Sequence, residues 1–230
     1  MHGLSQNPAG AVTLVDDKCL TIADGPKRMT RAFKLTAALW LAFVIGGAVI
    51  LNLHATTPGE PEDTPARWPV ASRITSGTNG AMLLVFLHPH CPCSRTTLGE
   101  LAAILATGRD KVTAQVLFVT AAGENPDWSR NELWRAAEAI PGVRAVVDSQ
   151  GIEAARFGAQ TSGLTLLFDQ QGACLFSGGI TAARGHGGDN IGRQAIVSCL
   201  ANECPGTSRA PTFGCALFHE KPTATGEAPL

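Results

Sequence analysis

Two imidazoles and two thiols fall within seven residues at His88-Pro89-His90-Cys91-Pro92-Cys93-Ser94. Before them runs a short apolar stretch, 81–87, and after them comes 94–108, whose apolar residues at 98, 101, 104 and 105 have helical spacing. A strand should therefore hand over to a helix at the cysteine pair. A thiol at a helix N-terminus meets unpaired N–H groups and the positive end of the helix dipole, which favours thiolate. Cys91 is placed to be that attacking sulfur. Pro92 suits a first helical position, where its missing N–H has no partner to lose. His90 and Arg95 add positive charge nearby. Cys93, two residues on, is within reach of a disulfide, but the small ring is cramped and Pro92 stiffens it, so such a bond should be oxidising. In this scheme Cys91 attacks a partner and Cys93 releases it, with Cys174 or a C-terminal thiol as the substitute should Pro92 hold Cys93 back.

The same residues allow a second chemistry. His88, His90, Cys91 and Cys93 form an H-x-H-C-x-C cluster of the soft ligands that select copper(I) or zinc. Against it, Pro89 and Pro92 restrict the backbone, and alternation along a strand sends neighbouring side chains apart. Exchange without a cofactor is preferred, with a copper or zinc carrier as the alternative. A peroxidase reading has only Pro89-x-Cys91 behind it. A pair of inert buried thiols fits the turn position less well than either redox or metal use.

The elements around the turn set the fold class. Residues 113–120 (TAQVLFVT) read as a second strand, and Pro126 begins a helix through Trp128, Leu133, Trp134 and Ala137 to Ile140, stopped by Pro141-Gly142. Residues 143–147 give a third strand and 152–157 a short helix. Residues 164–169 and 173–177 flank Gln170-Gln171-Gly172 as a hairpin. Asp189 caps a last helix, about 190–200. This order is α/β with mixed strand directions.

Ahead of that domain lies 32–53, AFKLTAALWLAFVIGGAVILNL, whose only charge, Lys34, is near enough to one end to snorkel. About 20 apolar residues span a bilayer core of roughly 30 Å. Lys27, Arg28, Arg31 and Lys34 precede or open the run, and Glu60, Glu62 and Asp63 follow it, so residues 1–31 should be cytoplasmic and the rest extracytoplasmic, facing the periplasm. The run exceeds a signal-peptide core and lacks a small-x-small site after it, which favours an uncut anchor. Met29 precedes TRAFKLTAALW, a natural start for an anchor, and residues 1–28 are given no function. Residues 54–70, rich in Pro, Thr and acid, read as a tether. Residues 71–218 make the domain and 219–230 a flexible tail. A formal net charge of −1 gives no reason to expect nucleic acid as a partner.

Of seven cysteines, Cys19 falls on the cytoplasmic side, leaving six where disulfides persist. Cys174 sits in a hairpin strand as an ordinary buried thiol. One structural disulfide is expected among Cys199, Cys204 and Cys215, its pairing open. Residues 177–189 form a glycine-rich loop without dinucleotide or P-loop spacing, so turns with positive φ are the expected use, and His186 reads as a solvated loop histidine. Trp128 and Trp134 read as packing.

Phe86 followed five residues later by Cys91 at a strand-to-helix turn resembles membrane-tethered thioredoxins of the TlpA and ResA type, and DSQGIEAARFGAQTSGLTLLFDQQG (148–172) resembles their second half. More narrowly, HPHCPCSRTTLGEL, FSGGITAARGHGGDN and PTFGCALF look like the RedB-like membrane proteins, over about 68–218. The resemblance implies a thioredoxin-like fold with a mixed central sheet behind one transmembrane helix. Two positions depart from it: Ser94 stands where thioredoxins carry the second thiol of C-x-x-C, and Thr161-Ser162-Gly163-Leu164 stands where they carry a cis-proline. The expected partners are exported protein thiols or disulfides and the bilayer that holds the anchor. A non-catalytic interaction module keeping only the fold is the third reading.

Overall fold

The computed structural model describes residues 30–75, 80–108, 110–121, 129–204 and 206–218. The chain divides after Gly46 into two units. Helix α1, Arg31–Thr56, is 26 residues long with no buried side chain, and it is long and apolar enough to cross a membrane. At 1.5 Å per residue it extends about 39 Å, beyond the roughly 30 Å hydrocarbon layer. The basic residues Lys27 and Arg28, Met29, Cys19, and the terminal 219–230 lie outside the described residues, as do Pro126 and Trp128.

The rest is a six-stranded mixed sheet in the order β3-β2-β1-β4-β5-β6. Strands β1 (Ala81–Leu87), β2 (Val112–Thr120) and β3 (Val143–Ser149) run parallel, joined by helices α2 (Ser94–Gly108) and α3 (Glu132–Glu138). Strand β4 (Thr165–Phe168) returns antiparallel beside β1 and pairs with β5 (Cys174–Gly178) in a hairpin. Helix α4 (Ile152–Arg156) precedes the hairpin, and α5 (Ile191–Leu200) follows it. Strand β6 (Ser208–Arg209), which the sequence does not announce, runs parallel to β5. Parallel βαβ units leading into an antiparallel hairpin and a closing helix make this a thioredoxin-like fold.

Because β1 is central and covered on both faces, its run is apolar without a break, and the two sets of side chains go opposite ways. Leu83, Val85 and Leu87 pack with Leu101 and Ile104 of α2, Trp134 and Ala137 of α3, and Ile196 and Leu200 of α5. Met82, Leu84 and Phe86 pack with Phe157, Phe168 and Leu217. Trp134 is buried beside Phe118, with the Arg130 guanidinium over its ring. Trp68 meets Phe157 and Phe168 edge-on.

Three expectations need correction. Helix α3 begins at Glu132, capped by the Asn131 side chain, which accepts from Leu133 and Trp134 N–H, so the expected helix does not run on continuously through 129–131 from Pro126, which itself lies outside the described residues. The cap of α5 is Asn190, not Asp189: its Oδ1 accepts from Arg193 N–H at 2.8 Å, while Asp189 pairs with the Arg193 guanidinium. Residues 57–70 do not run free as a tether. Gly59 N–H bonds to Thr212 C=O, Thr64 Oγ1 to Ser177 Oγ, Trp68 N–H to Gly172 C=O, and Ala66 C=O accepts from Cys174 N–H.

Candidate functional site

The loop after β1 is held from three directions. Cys91 N–H donates to His88 C=O, and Ser94 N–H to Cys91 C=O at 3.0 Å, a tight turn leading into α2. Asn131 turns its Nδ2 onto Pro89 C=O at 2.7 Å, so the residue that caps α3 also pins this loop. From the third side, Gly163 N–H donates to Phe86 C=O and the Ser162 hydroxyl oxygen accepts from His88 N–H at 2.9 Å.

The helix opens at Ser94, so Pro92 lies ahead of it rather than at its first position, and Cys93 is the flanking residue whose carbonyl accepts from Thr96 and Thr97 N–H. Ser94, at the position where thioredoxins have their second thiol, is buried at 1% exposure. Its hydroxyl lies 3.3 Å from His88 C=O and 3.1 Å from Ser162 Oγ. A buried polar pair therefore replaces the second sulfur.

Cys91 is itself only 1% exposed. Its neighbour is not Cys93 alone: the Cys215 sulfur lies 2.9 Å away, and both are free thiols. Burial pushes the Cys91 thiol up, but the Cys215 side chain, backbone N–H groups of Cys215 and Cys93, and the Ser162 hydroxyl together outweigh it and hold Cys91 below the ordinary thiol range. Cys93, half-buried, is pushed up by burial and then by the charge of Cys91. Cys215 is pushed up to about 12 by burial and by Cys91 and Cys93, with Arg184 opposing. Cys91 thus carries the charge in this three-sulfur cluster. Its helpers differ from those expected. Arg95 turns away to Glu132, both side chains being largely exposed, while His90 lies on the surface with its N–H donating to His88 Nδ1.

Cys215 is delivered by a strap, residues 210–217. Ala210 N–H bonds to Ser177 C=O, and Thr212 C=O accepts from Gly59 N–H. Arg184 donates to Gly214 C=O and, through Nε, to His54 C=O. The strap then lies antiparallel to the 160–162 loop: Ser162 N–H donates to Cys215 C=O at 2.8 Å, Leu217 N–H to Gln160 C=O at 2.8 Å, and Thr161 bridges Ala216. Gly214 passes so close to the Ser162 carbonyl that a Cβ there would collide with it. Leu217 ends the strap in the Phe86–Phe157 core.

The remaining sulfurs sort themselves. Cys199 and Cys204 form the disulfide, S–S 2.03 Å, which excludes Cys215 from the structural bond. Cys174 is buried against Phe176 C=O and pushed up to about 11 by burial, which suits an inert thiol. Among the described residues no three His, Cys, Asp or Glu side chains are gathered as a metal site. The glycine-rich loop is turns: Gly185 and Gly188 have φ of 70° and 108°, and Gly188 N–H donates to buried Glu100, which also holds Arg193. His186 is exposed, its Nδ1 2.8 Å from Arg184 C=O. Sequence reasoning missed Ser162 and Arg184 as groups touching this cluster; both sat in motifs it had singled out, with no signal of which residue would face the sulfurs.

No protein-family model matches the chain, and no curated protein matches its sequence. Solved structures resemble its fold. An uncharacterized conserved protein from Geobacillus kaustophilus shares 16% identity at a TM-score of 0.53, over 73% of this chain and 93% of that one. A hypothetical protein from Sinorhizobium meliloti 1021 shares 18% at 0.51, over 61% and 80%. A secreted Mycobacterium tuberculosis disulfide oxidoreductase aligns at 13% identity and 0.38, over 54% and 83%. The first two likenesses concern the fold alone.

Proposed function

We propose that this chain is a membrane-anchored thiol–disulfide exchange protein acting on exported protein thiols or disulfides, with Cys91 as the attacking sulfur. One observation carries the reading: a thiol held toward thiolate at the strand-to-helix turn of a thioredoxin-like domain, with a second free thiol 2.9 Å from it. The basic flank of α1 and the acidic residues after it support an extracytoplasmic domain, where such partners occur. The finer resemblance to RedB-like proteins fits this reading, because two of its three motifs, HPHCPC and PTFGCALF, meet at the sulfur cluster. The reduced full-length chain in detergent should reduce a protein disulfide such as that of insulin. Cys91→Ser should abolish the activity; a variant that keeps it would remove Cys91 from the chemistry.

A further inference from the structure

Exchange at Cys91 requires a second sulfur to release the partner, and the adjacent Cys93 is the one the sequence points to. The geometry points to a different one: we propose that Cys215, carried on the 210–217 strap, is the resolving cysteine, and that the working disulfide of this protein is Cys91–Cys215. This rests on the exchange reading above and assigns its second half.

Several independent features bring Cys215 to Cys91. The strap is tied on both sides of the thiol, by Arg184 to Gly214 before it and by Gln160 to Leu217 after it. Its own carbonyl is taken by Ser162 N–H, from the residue whose hydroxyl oxygen also accepts from His88 N–H in the Cys91 loop. The sulfurs are already 2.9 Å apart, and 124 residues separate them in sequence, so only the fold makes this contact. Cys93, by contrast, is tied to Cys91 through Pro92, and a bond between them would close a cramped ring. The C-x-x-C position is closed to a third solution, because Ser94 fills it.

Cys91 is only 1% exposed and the Cys215 sulfur of the strap lies against it, so a partner reaches Cys91 when the 214–217 contacts open. The cycle is then balanced. The Cys91 thiolate attacks one sulfur of a partner disulfide, forming a Cys91–partner bond and releasing the other partner sulfur as thiolate, which takes up a proton. The strap, still anchored upstream at Thr212 and β6, closes again. Cys215 loses its proton to solvent and attacks Cys91 Sγ, forming Cys91–Cys215 and expelling the second partner sulfur. Two electrons pass from the dithiol of this chain to the partner disulfide, and the reverse sequence oxidises a partner dithiol. Burial still holds the Cys215 thiol up, but its deprotonation becomes easier at the moment it is needed, because a Cys91 in disulfide linkage no longer adds its charge to that effect.

The test uses reduced full-length protein in detergent, with oxidised glutathione as the probe, and follows the glutathione adduct by mass. Wild type should pass through a Cys91 adduct to a bond that peptide mapping assigns to Cys91–Cys215. Cys215→Ser and Cys215→Ala should both accumulate the adduct, resolving roughly a hundredfold more slowly against about 10 µM external thiol, since a short tether supplies millimolar effective concentration. Cys93→Ser should resolve as wild type does. Mapping of the wild-type bond to Cys91–Cys93, or adduct accumulation in Cys93→Ser with normal resolution in Cys215→Ser, would overturn the assignment and leave exchange standing. Absence of any Cys91 adduct in every variant would instead sink the exchange reading itself.

Discussion

Cys91 is nearly sealed from solvent and yet held below the ordinary thiol range, two properties that oppose each other unless local donors compensate burial. Ser162 is one of those donors. Removing its hydroxyl in Ser162→Ala should raise the Cys91 inflection in an ultraviolet thiolate titration, whereas Arg95→Ala should leave it where it was, because Arg95 is occupied by Glu132. Glu62 offers a second residue-scale test. Burial pushes its carboxyl up to about 8, partly offset by the Thr212 hydroxyl, which donates to Oε2 at 3.1 Å. Between about 4.3, the ordinary glutamate value, and 8, the folded chain holds a proton that the unfolded chain has lost. Stability from this group is therefore full below that window and declines as pH rises through it. Chemical denaturation of Glu62→Gln should show a flatter profile from pH 5 to about 8, with its largest gain over wild type above 8. A parallel decline in both proteins would dismiss Glu62 as the cause.

At the scale of elements, the reactive loop borrows its rigidity from neighbours. Asn131 caps α3 and holds Pro89 C=O with the same side chain, so Asn131→Ala should cost about 1–2 kcal/mol in stability, near the top of the range for a cap. It should also slow Cys91 chemistry, a coupling that an isolated capping defect would not produce. The strap depends on backbone approach at Gly214. A Cβ there meets the Ser162 carbonyl, so Gly214→Ala should lift the strap, speed alkylation of Cys91 and slow resolution of its mixed disulfide. Unchanged alkylation would mean that the strap does not gate access.

At the scale of the whole molecule, a helix long and apolar enough to cross a membrane precedes a domain in which, among the described residues, one disulfide joins Cys199 of α5 to Cys204. The loop between Cys199 and Cys204 is short, so its loss in Cys199→Ser should cost about 2 kcal/mol on a chain-entropy account. Because α5 packs on α2 rather than at the sulfur cluster, exchange by the folded fraction should persist. A reporter fused after Leu230 should be active only outside the cytoplasm; activity inside would reverse the topology drawn from the basic flank.

Much of this was legible from local pattern. Apolar periodicity found β1 and α2 to the residue and the hairpin within a residue or two, because those segments are buried in the way their repeat implies. Length and charge alone found α1. Boundaries set by a capping side chain were misplaced by one residue at α5 and by several at α3, since Asn and Asp read alike until the backbone shows which one turns. The tether expectation at 54–70 failed for a related reason: a Pro-rich segment with acid has no apolar period, yet its backbone can still bond to the β4–β5 hairpin and to the 210–217 strap. That Cys91 stands at a strand-to-helix turn could be read from sequence, because β1 and α2 flank it, whereas most of the groups that hold its thiol down lie elsewhere in the chain. Which sulfur would face it could not be read. Cys91 and Cys215 are brought together by a strap that no periodicity announces, held by hydrogen bonds to backbone groups that every residue type supplies, and only the folded chain decides which of three C-terminal thiols arrives.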